Sequence, residues 1–217
     1  RKAVIVSLFH QAMNDRFGQW LELAESRLHK TGIECYIMLG NDDPSELADL
    51  FDSCESVVNA DRKKVRIRGQ IEMVSLGYSN QTPFFSHREL PEDQIENILD
   101  NLAAELSDAN NSIFNVHVPP HATGLDGAPE LDENRKAILY DGEPKFVPVG
   151  STAVRDIFLR HQPLLGLHGH LHESPGNAYV GRTLCINPGS SFGDGVLHGA
   201  IVEIENGTVH SHSVERI

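Results

Sequence analysis

Histidines alternate along one short stretch of the chain, His168-Gly169-His170-Leu171-His172, directly after the apolar run Pro163 to Leu167. The run predicts a buried strand, and the carboxyl end of such a strand is where ligands bind in open α/β sheets. Neutral imidazole is the commonest metal ligand near neutral pH, and His-x-His directs two rings towards neighbouring points. We therefore predict that His170 and His172 are metal ligands. The alternative is a histidine-rich surface loop.

Another histidine follows a second apolar run. Residues Ser112 to Val118 predict a strand, which Pro119-Pro120 must end because proline cannot donate to a strand ladder. His117 is thereby expected at the same edge of the sheet as the first pair. The alternative for His117 is a core histidine that is hydrogen-bonded to the backbone.

A carboxamide and a carboxylate follow a third run. Residues Ile33 to Leu39 predict a buried strand stopped by Gly40, which leaves Asn41 and Asp42 at the exposed strand end. Asp43 is expected to cap a helix over Ser45 to Phe51, with Pro44 at its first position. The alternative for Asn41 is a residue that only forms a turn.

The sequence predicts the elements that must position these groups: parallel strands with helices, followed by antiparallel strands, in one domain. Helices are expected from Asn14 to near Gly32, from Pro91 and from Ser151 to His161, where apolar residues recur with helical spacing. Further strands are expected over 57–58, 65–67, 71–76 and 179–186. A final hairpin is expected over 200–214, closed by Asn206-Gly207.

Two loops and a second histidine pair complete the pattern. The polar segment 122–149 is too long for a plain connection, which favours a functional lid or an oligomer contact. His87 lies in the loop 77–88, where a surface position is favoured over a contact to substrate. His210 and His212 alternate on the last hairpin and are interpreted as part of its solvent face.

Composition, net charge and cysteine spacing limit the classes of protein to which the chain can belong. The chain has 217 residues, 40% of them hydrophobic, as in an ordinary globular protein, and a formal net charge of -13, which makes nucleic acid an unlikely partner. No run approaches the roughly 18 apolar residues of a membrane span, and no signal peptide is recognised, so we expect a cytoplasmic protein without membrane contact. Three cysteines without Cys-x-x-Cys spacing predict reduced thiols.

Taken in order, Gly40-Asn41-Asp42-Asp43, His117 and Gly169-His170-Leu171-His172 resemble the calcineurin-like metallophosphoesterase superfamily. The signature of that superfamily runs Asp-x-His, Gly-Asp, Gly-Asn-His-Asp/Glu, His and Gly-His-x-His. Thr123 and Asp126, together with Asn187-Pro188-Gly189-Ser190, look like one prokaryotic branch of it. Three blocks in the right order are a specific signal, although each block alone is weak.

The resemblance implies a fold and a set of ligands. The fold is a four-layer α/β/β/α sandwich that holds two divalent metal ions, for which Mn, Fe, Zn or Ni would suit the imidazole and oxygen ligands. Asn41, His117 and His170 would bind the second metal and His172 the first. His168 would contact the phosphate or support a ligand, although a plain loop histidine is an equal alternative.

The chain departs from the family pattern at two places. The histidine that follows Asn in the family is Asp42 here, so Asp42 takes the catalytic position and the acid that protonates the leaving group could instead be His87, His121 or His168. The Asp-x-His and Gly-Asp blocks are absent from the chain. We expect residues 1–217 to be a single, N-terminally incomplete metallophosphoesterase domain that lacks its first βαβ segment of about 40 residues. Such a chain would fold poorly alone and would hold at most one metal well.

The resemblance implies hydrolysis of a phosphomonoester or phosphodiester on a small substrate, by water that two cations activate for in-line attack. The alternative is a non-catalytic scaffold with a degraded metal site, like the retromer subunit of this fold. A third interpretation is a mononuclear hydrolase that uses only Asn41, His117, His170 and His172. The sequence leaves a homo-oligomer open.

Overall fold

The computed structural model describes residues 2–68 and 70–216 as a mixed α/β fold with a mostly parallel central sheet. The α-helices are α1 (Lys2–Leu28), α2 (Glu92–Ala104) and α3 (Thr152–His161), and short 3-10 helices cover Ser45–Ser53, Ala109–Asn111 and Phe192–Asp194. The strands are β1 (Cys35–Ile37), β2 (Val57–Asn59), β3 (Lys64–Ile67), β4 (Ile71–Leu76), β5 (Ser79–Asn80), β6 (Glu89–Leu90), β7 (Ser112–Val116), β8 (Gly127–Pro129), β9 (Leu139–Tyr140), β10 (Glu143–Pro144), β11 (Phe146–Pro148), β12 (Leu165–Leu167), β13 (Gly176–Val180), β14 (Thr183–Asn187), β15 (His198–Glu205) and β16 (Thr208–Arg216).

Six strands form the central sheet in the order β13-β14-β12-β7-β4-β3. The four inner strands are parallel to one another, and the two outer strands run antiparallel to their neighbours. The carboxyl ends of β4, β7 and β12 therefore meet at one edge. Backbone pairing continues past this edge, because the His117 amide donates to the Leu76 carbonyl (2.9 Å) and the Gly169 amide donates to the His117 carbonyl (2.9 Å).

Helices α2 and α3 cover one face of the central sheet. Ile95 and Leu99 from α2 and Ile157 and Phe158 from α3 are fully buried in one cluster with sheet residues such as Phe114. Ser151 begins α3 as predicted, since its hydroxyl accepts from the Val154 amide (3.1 Å). Burial of each such side chain contributes about 1.5 to 3 kcal/mol of transfer free energy, so this face anchors the sheet.

The other face of the sheet packs against strands. Met73, Ile113 and Leu184 of the central sheet share a cluster with Val202 and Val214 of the β15–β16 hairpin. Tyr36 of β1 belongs to the same cluster. The opposite side of β1 and β2 packs on α1, through a cluster that includes Phe17, Leu21 and Val57.

Several predicted element bounds were wrong. The helix expected from Asn14 covers Lys2–Leu28, since no proline or glycine interrupts the residues before Asn14. The single strand expected over 179–186 is two antiparallel strands, because Gly181 adopts a φ of +60° and turns the chain.

The local interpretation of two other segments was also wrong. Asp43 does not cap the following helix; its carboxylate accepts from the Gly40 amide (2.6 Å), and Pro44 precedes a 3-10 helix instead. Of the strands expected over 57–76, which the pattern predicts to be antiparallel, β3 and β4 do pair antiparallel, whereas β2 and β4 also pair in parallel with β1 and β7. The final hairpin is confirmed, with positive φ at both Asn206 and Gly207.

Within the part of the chain that the structure describes, no helix combines the length and apolar character needed to cross a membrane.

Candidate metal centre

Three side chains from three separate strand ends meet at one point. The Asn41 Oδ1 atom lies 2.9 Å from His117 Nε2 and 3.0 Å from His170 Nδ1. The two imidazole centroids are 5.3 Å apart. The expectation that the chain brings these groups together is confirmed. Their role as metal ligands stays a prediction.

The position of His117 depends on a neighbouring glycine. A Cβ atom on Gly40 would lie 3.0 Å from both Cε1 and Nε2 of the His117 ring, which is tighter than nine in ten real contacts of such an atom. A side chain at position 40 would push this ring away by a few tenths of an ångström, so glycine suits the close approach of the loop that carries Asn41. The sequence analysis interpreted Gly40 only as the residue that stops the strand.

His170 occupies a strained backbone conformation. Its φ is +63°, and the Leu171 amide donates to the Gly169 carbonyl across it (2.7 Å), which makes His170 the centre of a γ-turn. A non-glycine residue in this region costs on the order of 1–3 kcal/mol, and such strain concentrates at functional sites. The turn directs the imidazole back towards Asn41 instead of onward along the strand.

Burial keeps both imidazoles in their neutral form. It lowers the pKa of His117 to about 3, with the nearby His170 imidazole as the next cause. Burial also lowers the pKa of His170. Both rings therefore have a nitrogen lone pair available near neutral pH, which a cation requires of an imidazole ligand.

Asp42 determines which atom Asn41 presents. The Asn41 Nδ2 group donates to Asp42 Oδ1 (3.1 Å), which turns the carbonyl oxygen of the carboxamide towards the two histidines. The same carboxylate oxygen accepts from the Ser86 hydroxyl (2.6 Å). Asp42 thus acts as a hydrogen-bond acceptor that orients Asn41.

Arg88 fixes the backbone of the same loop, a role that the sequence analysis missed. The Arg88 side chain is 2% exposed and donates to the Leu39 carbonyl (2.6 Å), the Gly40 carbonyl (3.3 Å) and the Asp61 carboxylate. Its own amide donates to the Asn41 carbonyl (2.9 Å). No motif surrounds this arginine in the sequence, so only the fold reveals that it holds Asn41 in place.

A cleft of about 920 Å³ opens beside the three groups. Its lining includes residues 40–43, 80–84, 128–131, 147–150 and 170–173, together with His117 and His121. The long segment 122–149 contributes an antiparallel pair, β8 and β11, to one wall. Whether this segment acts as a lid or an oligomer contact stays a prediction.

His172 lies on the same cleft but is exposed. Its ring packs edge-on against Phe192, with centroids 5.6 Å apart, and its carbonyl accepts from the Ser190 amide (3.2 Å). A Cβ on Gly189 would lie 2.8 Å from this carbonyl, so glycine is required there. His172 is thus held at the rim by its backbone, with its ring on Phe192. Since the described residues contain no group of three His, Cys, Asp or Glu side chains arranged for a metal, the structure does not bring His172 together with His117 and His170 as predicted.

His168 lies elsewhere. Its ring is buried beside Phe158, its Nδ1 donates to the Val116 carbonyl (2.8 Å), and it does not belong to the cleft lining. Burial lowers its pKa to about 4. The structure therefore does not bring His168 together with Asn41, His117 and His170, and direct contact with a phosphate in the cleft is disfavoured.

Of the two other histidines considered as proton donors, only one lines the cleft. His87 is exposed and packs against His10 of α1, with ring centroids 5.7 Å apart, outside the cleft lining. His121 lines the cleft, and its Nδ1 lies 3.8 Å from Asp126 Oδ2. Asp126 is 1% exposed and accepts hydrogen bonds from the Ala122, Thr123, Gly124 and Gly150 amides, so it gives His121 a fixed partner.

Two imidazoles and one carboxamide can bind a divalent cation with water or substrate in the remaining positions. The described residues contain no group of three or more His, Cys, Asp and Glu side chains arranged for a metal. Asn41 is therefore the group that completes a three-donor set.

Comparison with known proteins identifies a family. Over 176 residues the chain is 31% identical to the uncharacterized protein MJ1162 of Methanocaldococcus jannaschii, and the alignment covers 79% of this chain and 72% of that protein. The chain belongs to the MJ1162 family. No protein-family model matches it.

Two solved structures are similar to this chain in fold alone. The crystal structure of TT1561 of Thermus thermophilus matches with a TM-score of 0.57 and 17% identity, over 85% of this chain and 73% of that chain. A second crystal structure matches with a TM-score of 0.57 and 19% identity, over 86% of this chain and 69% of that chain. At such identities the shared property is the mixed α/β architecture.

Proposed function

We propose that the protein is a metal-dependent phosphoesterase of the calcineurin-like metallophosphoesterase type, which hydrolyses a phosphomonoester or a phosphodiester. The observation that carries the proposal is the meeting of Asn41 Oδ1, His117 Nε2 and His170 Nδ1, within 2.9 and 3.0 Å of the carboxamide oxygen. These three groups follow separate strands in the order that the superfamily signature predicts.

The packing of the layers supports the same proposal. Helices α2 and α3 cover one face of the central sheet, strands β1, β15 and β16 pack on its other face, and α1 packs behind β1. This succession is what a four-layer α/β/β/α sandwich requires. The resemblance expects two divalent cations, and the donor set of Asn41, His117 and His170 suits one of them.

The donor set fits a borderline divalent ion such as Mn, Fe, Zn or Ni. When bound, such an ion supplies Lewis acidity towards phosphoryl oxygens and makes water a stronger nucleophile. His117 and His170 contribute neutral nitrogens, Asn41 contributes a carbonyl oxygen, and His172 faces the cleft from its rim.

Proton transfer to the leaving group is assigned to a residue of the cleft. Asp42 Oδ1 already accepts from Asn41 and Ser86, which suits an orienting carboxylate better than a proton donor. Of the three histidines considered as alternatives, His121 alone lines the cleft, with Asp126 beside its Nδ1. We therefore assign Asp42 to orienting Asn41 and His121 to proton donation.

The test is metal binding and turnover on the purified protein. Titration with Co²⁺ or Mn²⁺, followed by calorimetry, should give one saturable site that His117→Ala abolishes and that His210→Ala, on the exposed hairpin, leaves intact. The metal-loaded protein should then release nitrophenolate from aryl phosphate esters. A protein that binds no metal and is inert would contradict the proposal and would support the scaffold alternative.

A further inference from the structure

The walls of the cleft differ in chemistry from its metal-facing end. Apolar side chains of two segments line the walls, including Pro83, Phe84, Leu131, Val147 and Pro148. Phe84 is 60% exposed and lies with other apolar side chains of the lining, so they form a shared apolar surface. The cleft therefore offers a surface on which an apolar or aromatic group can be buried.

The charges of the lining are all negative. Among the described residues that line the cleft, Asp42, Asp43, Glu130 and Glu173 are acidic and none is lysine or arginine. Glu130 is paired with Lys145 (2.5 Å), which leaves the other three carboxylates uncompensated by a cationic side chain of the lining.

The arginines nearest to the walls already have other partners. Arg88 donates to the carbonyls before Asn41, and Arg155 donates to the His121 carbonyl (2.8 Å). Arg135 stacks over the ring of Phe85, with its guanidinium carbon 5.6 Å from the ring centroid. Phosphate-binding sites commonly use arginine forks or lysines, and the lining of this cleft, among the described residues, contains neither.

We propose that the substrate is a phosphodiester, a monoanion whose second ester group is apolar or aromatic and lies against the Leu131 and Phe84 wall. The inference rests on the proposed function and names the substrate class of the same site. A monoester carries close to two negative charges above its second pKa of about 6, and without cationic side chains its extra charge meets only carboxylates on the protein. In the reaction, the oxygen of water forms a bond to phosphorus, the bond from phosphorus to one ester oxygen breaks, and the alcohol leaves with a proton.

The first test measures binding, so that it decides the substrate class even without turnover. Calorimetric titration of the metal-loaded protein compares diphenyl phosphate, a monoanion, with phenyl phosphate, a dianion at mildly alkaline pH. We expect diphenyl phosphate to bind at least about tenfold more tightly. Equal or tighter binding of phenyl phosphate would overturn the inference.

The second test uses two diesters with the same leaving group, 4-nitrophenyl phenyl phosphate and 4-nitrophenyl methyl phosphate. The variant Leu131→Asp should raise KM for the phenyl diester by roughly tenfold and that for the methyl diester much less, since only the phenyl group reaches the apolar wall. Leu139→Asp, on an exposed strand outside the cleft lining, is the matched control and should change neither KM. If Leu131→Asp lowers the melting temperature, Leu131→Ala replaces it.

The outcomes separate this inference from the proposed function. Hydrolysis of 4-nitrophenyl phosphate in preference to both diesters would overturn the diester assignment while the phosphoesterase function stands. A protein that hydrolyses none of the three esters would overturn the function, and the binding comparison would then still show which anion the cleft prefers.

Discussion

Two His-x-His pairs of the chain, His170/His172 and His210/His212, have different surroundings, and only the first pair lines the cleft. His170 and His172 follow β12, where the ends of several parallel strands meet. His210 and His212 lie within β16, the last strand of an antiparallel hairpin. His212 is half-buried in register with Val202, so the interpretation of both histidines as part of the solvent face was wrong for His212. His170 Nδ1 is 3.0 Å from Asn41 Oδ1, whereas His210 is exposed.

The difference between the two pairs comes from topology. The pairing of β16 with β15 shifts register between Glu203 and Ile204, which breaks the alternation of side chains along β16, so the rings of His210 and His212 do not face one point. His170 gains two neighbours because β7 of the same sheet delivers His117 and the loop after β1, a strand of the separate two-stranded sheet, delivers Asn41. His170 also has a φ of +63°, which turns its imidazole away from the direction that a regular strand residue would take.

The largest expected effect distinguishes the two pairs directly. His170→Gly removes the imidazole and keeps the left-handed backbone, which glycine adopts without strain, so affinity for Co²⁺ should fall on the order of 100-fold or more while the melting temperature changes little. His210→Ala should change the affinity less than about twofold. Visible absorption of bound Co²⁺ gives the measurement. Similar losses in both variants would mean that the two pairs do not differ as proposed.

The sequence predicted that Asn41, His117 and His170 would meet because strand ends can be recognised locally. Apolar runs before Gly40, Pro119 and Gly169 located Asn41, His117 and His170. Parallel pairing of β7 and β12 brings the two histidines together, whereas Asn41 comes from the separate β1–β2 sheet, which the sequence did not predict. The position of His168 was harder to predict. It lies one residue after β12, where the alternation carries its side chain to the helix-covered face beside Phe158 instead of to the cleft.

Contacts distant in sequence were beyond prediction. Arg88 holds the Leu39 and Gly40 carbonyls from 48 or 49 residues away, and no local pattern announces it. The wrong assignment of Asp43 has the same origin, because helix capping and the bond to the Gly40 amide compete for one carboxylate. Similarly, the unbroken strand expected over 179–186 ignored the turn that Gly181 permits.

A second variant examines how Asn41 is oriented. Asp42→Ala removes the acceptor of the Asn41 Nδ2 group, so the carboxamide can rotate, and metal affinity should fall roughly 10- to 100-fold. Asp42→Asn keeps an acceptor oxygen and should restore most of the affinity. If turnover stays low in Asp42→Asn although the metal binds, Asp42 acts as the proton donor, and the assignment of that step to His121 is wrong.

Gly40→Ala is expected to have a smaller effect. The added methyl group would lie 3.0 Å from the His117 ring, so the ring must shift by a few tenths of an ångström, with a loss of stability of about 1 kcal/mol and a several-fold loss of metal affinity. Gly18→Ala is the matched control, since nothing lies within 4 Å of its added Cβ, and it should leave the affinity unchanged. Equal affinity in both variants would show that His117 does not need the close approach of the loop.

The smallest effect on metal binding is expected for a substitution of Glu72. Its carboxylate lies at the amino ends of the central strands, opposite the candidate metal centre, and stabilises the fold. Glu72, near the amino end of β4, accepts from the Ser107 amide (2.6 Å) and from Arg66 (2.9 Å), and these bonds lower its pKa from 4.5 to about 2. Between these two pKa values Glu72 is protonated in the unfolded chain but ionised in the folded chain. Its contribution to the free energy of unfolding is therefore fully present above about pH 4.5 and is lost as the pH falls towards 2. Glu72→Gln should flatten this part of the dependence of the urea midpoint on pH, and Glu215→Gln, on the exposed hairpin, should retain it.

Because Glu72 lies away from the strand ends that carry Asn41, His117 and His170, its variant should bind Co²⁺ at neutral pH as the unaltered protein does. A loss of affinity in Glu72→Gln would mean that the two edges of the sheet are coupled, and the separation between fold and site would have to be abandoned.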